Sequence, residues 1–109
     1  MKMTFLNGEI WKVKLYPVRG REQNGFRPCL IVSPDSMNSA LETIIVLPMT
    51  TSLKNWPTRT SVFVDHTEGQ VCIEHIRSVS KERFVEKMGM ATEIEMASVR
   101  KHLLAVFAS

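Results

Sequence analysis

The chain has 109 residues, 44% hydrophobic and 23% charged, a balance typical of one water-soluble globular domain over residues 1–109. No run of about 18 apolar residues occurs, which argues against a membrane-spanning helix, and the N-terminal residues lack the apolar stretch of a secretory signal. The formal net charge of +3 favours an anionic partner, and several cations cluster in the first quarter: Lys12, Lys14, Arg19, Arg21 and Arg27.

The first predicted strand covers residues 9–16, where apolar and polar side chains alternate. Trp11, Val13 and Leu15 are expected on the buried face, and Pro17 is expected to end the strand.

Four further strands are predicted from short apolar runs rich in β-branched residues: 29–32, 43–47, 61–64 and 70–77. The second of these is expected to stop at Pro48. Cys29 and Cys72 lie inside these runs, with neither zinc-site spacing nor a redox pair, so we expect buried thiols in a reducing cytoplasm.

Two helices are predicted after Val79. Ser80 can cap a short helix over residues 81–88 that Gly89 closes, and Thr92 with Glu95 forms a capping box for a second helix. That second helix carries an apolar stripe expected to pack on the sheet or on another subunit: Met96, Val99, Leu103, Val106 and Phe107. Strands followed by helices predict a mainly β, α+β fold with a strongly bent, barrel-like sheet.

A polar, glycine-flanked segment, residues 20–28, separates the first two strands and carries Glu22, Gln23 and Arg27. Arg27 precedes Pro28, which favours an extended backbone and so a guanidinium held at the mouth of a strand. Arginine binds phosphate through a planar, permanently charged fork. A solvated hairpin is the alternative interpretation of this segment.

Two polar clusters follow predicted strands. Thr50, Thr51 and Ser52 come after the third strand and either satisfy their own turn or present hydroxyls to a phosphate. In the last strand, His75 and Arg77 are expected to share one face and Glu74 the other.

Histidine titrates near neutral pH and suits acid–base chemistry, although a structural role for His75 is the commoner one. His66 and His102 indicate no site, and no spacing predicts a metal ligand set. Trp56 lies in a predicted exposed loop, where it is a candidate contact for nucleic acid or a partner protein.

Together these segments resemble the MazF/PemK/Kid family of bacterial toxin endoribonucleases, over nearly the whole chain from Gly8 onward. Residues 20–28 match a G-x-E-Q-x-G-x-R-P motif, residues 48–51 resemble a second motif and residues 74–78 a third. The resemblance implies an SH3-like, strongly bent β-barrel with short helices and a C-terminal helix, usually as a homodimer. It also implies a cytoplasmic toxin of a type II toxin–antitoxin system, with a cognate antitoxin whose flexible acidic tail fills the RNA groove.

The chemistry that the resemblance implies is sequence-specific cleavage of single-stranded mRNA without metal or cofactor. The ribose 2′-hydroxyl attacks the adjacent phosphate, leaving a 2′,3′-cyclic phosphate and a 5′-hydroxyl, and translation and growth are inhibited. The resemblance implies that the catalytic residues are Arg27 and Thr50. Arg27 would neutralise phosphoryl charge or act as general acid, and Thr50 would hydrogen-bond the phosphate or assist proton transfer. The RNA-binding residues are expected to be Glu22, Gln23, Thr51, Ser52, Glu74, His75 and Arg77.

The chain departs from the family pattern in its third motif, where glutamine is common at the position of His75. Some members also carry an arginine and an aspartate where this chain has Cys72 and Glu74. A non-catalytic SH3-like module that binds RNA or a peptide is therefore the alternative function.

Overall fold

The computed structural model describes residues 3–15 and 25–109. Glu22 and Gln23 of the first motif lie outside the described residues, as do Arg19, Arg21 and the last residue of the first predicted strand, Tyr16.

The described part of the chain forms a seven-stranded sheet and two α-helices. In chain order the elements are β1 (Glu9–Lys14), β2 (Phe26–Ile31), α1 (Asp35–Ala40), β3 (Thr43–Thr50), β4 (Arg59–Val64), β5 (Thr67–Cys72), β6 (Arg77–Ser80), β7 (Phe84–Met90) and α2 (Glu93–Phe107). Two short 3₁₀ turns, Ile73–His75 and Lys81–Arg83, flank β6.

The sheet is antiparallel and bends at β3, which changes partner along its length. Its first half, from Thr43 to Val46, pairs with β6, whereas Met49 and Thr50 pair with β5. On its other edge β3 pairs with β2, and the path runs β4-β5-β3-β2-β1-β7. The result is a curled half-barrel, which confirms the predicted mainly β fold with a strongly bent sheet.

Pro48 lies between the two partnered segments of β3, opposite Cys29 of β2. The prediction that the strand ends there is wrong, since β3 continues to Thr50. A proline lacks the backbone N–H that a ladder needs. Here it occupies a position that neither β5 nor β6 pairs in register, so the strand tolerates it.

Two hydrophobic clusters lie on either side of β1. Trp11, Val13 and Leu15 enter the first cluster, as the alternation predicted, where Trp11 meets Phe5 and Phe84 with ring centroids 4.9 and 5.9 Å away. Ile10, directly before Trp11, points the other way and is fully buried in the second cluster. Both faces of β1 therefore bury apolar side chains, and the strand separates the two clusters.

Helix α2 begins at the predicted capping box. Thr92 Oγ1 accepts from the Glu95 backbone N–H at 3.1 Å, and the Glu95 carboxylate accepts from the Thr92 N–H at 2.8 Å. Met96 and Val99 pack into the second cluster, so the helix lies on the sheet. The far end of the predicted stripe remains exposed, with Phe107 66% accessible.

The predicted helix over residues 81–88 is wrong. Only Lys81–Arg83 is helical, as a 3₁₀ turn, and Phe84–Met90 forms β7. This strand pairs with β1 from Val13↔Phe84 to Glu9↔Met90, with two register shifts. Pairing along an otherwise unpaired edge of β1 outweighs a weak local helix preference.

Helix α1 was not predicted, because its six residues carry no apolar periodicity. The buried Asn38 holds it to the preceding segment by donating to the Ser33 carbonyl oxygen at 3.1 Å. Among the described residues, neither helix has the length and apolar content needed to cross a membrane.

Candidate active site

Arg27 stands on β2, opposite Val13 of β1 and directly before Pro28. Gly25, with a φ of +65°, accepts a hydrogen bond from the Leu15 backbone N–H at 3.0 Å through its carbonyl oxygen. That left-handed backbone favours glycine. These contacts fix the start of β2, so the exposed Arg27 is carried by a paired strand, as its place before a proline predicted.

Thr50 is the last residue of β3 and pairs with Gln70 of β5. Its Oγ1 accepts from the Ser52 backbone N–H at 3.0 Å, so the hydroxyl does stabilise its own turn. A hydroxyl also carries one donor hydrogen. The two interpretations of this segment are therefore compatible, since Thr50 can close the turn and donate to a ligand oxygen.

The predicted strand over residues 70–77 is not continuous. Residues 70–72 end β5 and Arg77 begins β6, but the 3₁₀ turn Ile73–His75 separates them. The buried Ile73 anchors the turn in the core, and its N–H donates to the Thr58 carbonyl oxygen at 3.1 Å. The break changes where the side chains point. Glu74 and His75 were expected on opposite faces, yet Glu74 Oε2 lies 3.9 Å from His75 Nε2.

Arg59, the first residue of β4, organises this corner. Its Nε donates to Glu74 Oε2 at 2.9 Å and its Nη1 donates to the Ser52 carbonyl oxygen at 3.3 Å. The Arg59 side chain is only 8% exposed and that of Glu74 26% exposed. Sequence reasoning did not single out Arg59, because its partners are distant along the chain and no local pattern marks it.

The pKa of Glu74 lies below its ordinary value of 4.5. Burial alone would raise it. Hydrogen bonds from its own backbone N–H, from Thr58 and from Arg59, together with the charge of Arg59, outweigh that effect. Glu74 is therefore a paired carboxylate at neutral pH.

The two cysteines are free and buried, as predicted. Burial raises the pKa of Cys29 to about 12 and also raises that of Cys72. The positive charges of Arg77 near Cys29 and of Arg59 near Cys72 oppose this increase without cancelling it. Since the thiolate is the reactive form, neither cysteine is suited to act as a nucleophile.

These groups surround one open groove of about 590 Å³. Its lining among the described residues consists of Leu15, Arg27, Pro48, Thr50, Ser52, Arg59, Cys72, Glu74, His75, Ile76 and Arg77. Three guanidinium groups face a single carboxylate there, so the groove has an excess of positive charge suited to an anionic ligand.

The groove brings together most of the site residues that the sequence predicted: Arg27, Thr50, Ser52, Glu74, His75 and Arg77. Thr51 is exposed in the bend after β3 and is not among the lining residues, and Glu22 and Gln23 lie outside the described part. His102 does not line the groove, and its Nδ1 is hydrogen-bonded to Thr60 Oγ1 at 2.6 Å. Within residues 3–15 and 25–109, no three His, Cys, Asp or Glu side chains are grouped to hold a metal.

The chain is similar to known proteins of one family. Residues 6–107 match the family model of the PemK-like, MazF-like toxins of type II toxin–antitoxin systems. Endoribonuclease MazF9 of Mycobacterium tuberculosis is 35% identical over 106 residues, which cover 88% of this chain and 90% of that protein.

Solved structures show the same fold. MazF from Deinococcus radiodurans superposes with a TM-score of 0.82 at 25% identity, covering 99% of this chain and all of that one (100%). A mycobacterial endoribonuclease solved in complex with its cognate antitoxin gives a TM-score of 0.82 at 21% identity, covering 96% of both chains. From the match over residues 6–107, the chain belongs to the family of PemK-like, MazF-like toxins of type II toxin–antitoxin systems.

Proposed function

We propose that this protein is a toxin endoribonuclease that cleaves single-stranded mRNA in its groove without a metal ion. The endoribonuclease activity is that of its named relatives in the family. The single observation that carries the assignment of the groove is that Arg27 and Thr50, from β2 and β3, line it together. The resemblance to the family motifs implies catalytic roles for these two residues.

In the proposed reaction the ribose 2′-oxygen forms a bond to the adjacent phosphorus and the bond from phosphorus to the 5′-oxygen breaks. The 2′-hydroxyl loses its proton to a base, and the departing 5′-oxygen gains one. The products are a 2′,3′-cyclic phosphate and a 5′-hydroxyl end.

Arg27 neutralises the charge that grows on the phosphoryl oxygens, because a guanidinium donates through a planar fork. Thr50 donates a hydrogen bond to the same phosphate. His75, which lines the groove beside Glu74, is the candidate to accept the proton of the 2′-hydroxyl.

Glu22, Gln23, Thr51, Ser52, Glu74 and Arg77 are proposed to contact the bases, riboses and phosphates of the bound strand. Of these, Ser52, Glu74 and Arg77 line the groove.

The same groove is proposed to receive a flexible acidic segment of a cognate antitoxin. Its three guanidinium groups suit carboxylates as well as phosphates. The similar mycobacterial endoribonuclease was solved with its cognate antitoxin. The toxin is proposed to act as a homodimer in the bacterial cytoplasm, where its mRNA substrate is found.

The test is to incubate the purified protein with mixed single-stranded RNA in EDTA and to map both ends of every product. The expected result is cutting at a short recurring sequence, with cyclic phosphate and 5′-hydroxyl ends. RNA that is bound but stays intact after long incubation would instead identify the non-catalytic binding module.

A further inference from the structure

Trp56 is an exposed aromatic side chain in the loop between β3 and β4. It is 50% accessible, whereas the other tryptophan, Trp11, is buried at 6%. The Arg59 guanidinium carbon lies 4.6 Å from the Trp56 ring centroid, and Lys54 Nζ lies 5.8 Å from it. We call Trp56, with these two cations, the Trp56 platform. Both cations lie within cation–π range of the ring.

Hydrogen bonds fix the backbone of the loop before Trp56 and at Trp56 itself. The Lys54 backbone N–H donates to Gln70 Oε1 at 2.9 Å, and the Lys54 carbonyl oxygen accepts from Gln70 Nε2 at 3.0 Å. Gln70 is itself buried in β5. The Trp56 carbonyl oxygen accepts from the Arg59 N–H at 3.1 Å. The backbone that carries the ring is therefore held in place before any ligand arrives, which lowers the entropy cost of binding.

Arg59 joins the platform to the groove. The guanidinium that underlies Trp56 also pairs with Glu74 and bonds to the Ser52 carbonyl oxygen, and all three residues line the groove. Trp56 is not among the lining residues and so stands beside the groove at its Arg59 end. A strand that fills the groove can extend onto the ring by continuing in that direction.

We propose that the Trp56 platform binds one unpaired nucleobase of the RNA by stacking, at a subsite outside the cleavage centre. The proposal rests on the proposed function, since the ligand is the same single-stranded RNA. Positively charged grooves combined with aromatic rings are typical of single-strand binding. Lys54 supplies a cation for the phosphate next to the stacked base. Because every base has a stacking face, the subsite adds affinity without demanding one sequence.

The experiment measures binding of the full chain to a mixed-sequence, single-stranded 2′-O-methyl RNA, which cannot undergo attack by its own 2′-hydroxyl. We expect tryptophan fluorescence to be quenched on binding. Trp56→Phe should abolish the quench, because only buried Trp11 then emits, yet keep most of the affinity. Trp56→Ala should weaken binding about 5- to 150-fold, the range for losing one base–aromatic stack.

Two controls separate stacking from other effects. Phe63→Ala removes an aromatic side chain that is 53% exposed elsewhere on β4, and it should leave the affinity unchanged. An abasic oligomer with the same backbone should bind wild type and Trp56→Ala equally. A quench that persists in Trp56→Phe, or an equal loss of affinity for RNA and abasic oligomer, would overturn the proposal. So would a Trp56→Ala defect confined to binding of an acidic antitoxin peptide.

This experiment separates the platform from the cleavage reaction. If wild type fails to cut natural RNA but shows the Trp56-dependent quench, the platform stands and the proposed function fails. If wild type cuts but Trp56→Ala binds the 2′-O-methyl RNA as wild type does, the platform is rejected alone. The quench and the Trp56→Phe comparison keep the test decisive even if Trp56→Ala folds poorly.

Discussion

Two arginines of the groove have different structural positions. Arg59 has an 8% exposed side chain and uses its donors on Glu74 and on the Ser52 carbonyl oxygen. Arg27 is exposed on β2, at the edge of the same groove. Arg59 is nearly buried and two of its five N–H donors already bond within the protein. The exposed Arg27 is therefore better placed to meet the substrate, and Arg59 to hold Glu74 and the Ser52 backbone in the wall of the groove.

Arg27→Ala should lower the rate of RNA cleavage about 100- to 1,000-fold, the usual cost of removing a donor that stabilises developing charge. Arg27→Lys should recover part of the rate, because it keeps the charge but not the planar fork. Initial rates in EDTA measure both variants, with circular dichroism to confirm folding and Lys101→Ala, an exposed cation on α2, as the matched control. A rate near that of wild type would move catalysis elsewhere, with His75→Ala as the next variant.

Among the secondary-structure elements, β1 and β7 are joined by a buried carboxylate. Glu9 is 4% exposed, and its Oε1 accepts from the Leu6 N–H and from Trp11 Nε1, each at 3.0 Å. Its Oε2 lies 2.9 Å from Lys87 Nζ of β7. One side chain thereby links the N-terminal segment, the first hydrophobic cluster and the strand that covers the edge of β1.

The pH dependence of stability follows from the pKa of Glu9. Burial raises that pKa, but the bonds from Leu6, Trp11 and Lys87 and the Lys87 charge bring it below the ordinary 4.5. Glu9 therefore stabilises the fold above the unfolded-state pKa, and this stabilisation is lost as pH falls through the folded-state pKa. Glu9→Gln should lower the free energy of unfolding at pH 7 by about 1–3 kcal/mol and flatten its decline in acid.

Urea unfolding at a series of pH values from neutral to acid measures this effect. Glu86→Gln is the matched control, because Glu86 is an exposed carboxylate on β7 and should leave both the stability and its pH profile close to wild type. If Glu9→Gln and wild type lost stability in parallel as the pH falls, the carboxylate would not be the group that titrates.

At the scale of the whole molecule, the folded sheet places arginines from three different strands in one groove. Arg27 comes from β2, Arg59 from β4 and Arg77 from β6, and the change of partner along β3 brings these strands around one opening. The formal net charge is only +3. Affinity for RNA should therefore depend on how the sheet concentrates cations more than on their sum.

Binding of 2′-O-methyl RNA should weaken as salt rises, because each phosphate contact releases counterions. Arg77→Ala should reduce the slope of log affinity against log salt by about 0.7, the value for one contact to a single strand. Arg100→Ala, an exposed cation on α2, should leave the slope unchanged. Fluorescence anisotropy over a salt series measures all three proteins, and equal slopes for wild type and Arg77→Ala would exclude Arg77 from contact with phosphate.

Where a feature depends on neighbouring residues alone, the sequence predicted it. The alternation around Trp11 and the capping box of Thr92 and Glu95 are local patterns, and both are confirmed. The residues proposed to act in the groove also came from local patterns, and their roles stay predictions. Arg27 before Pro28, the hydroxyls after β3 and the Glu74–Arg77 segment are each short motifs whose order matches a family.

Contacts between distant segments decided the rest. Residues 84–90 became a strand because β1 offers an edge to pair with, and the turn at Ile73–His75 formed because Ile73 is held in the core. That turn brings Glu74 beside His75, and the bent sheet brings Arg59 to both. Local periodicity does not indicate which distant residues a segment will contact. The sequence by itself therefore determined the family and the main motif residues. Only the tertiary structure decided which residues meet in the walls of the groove.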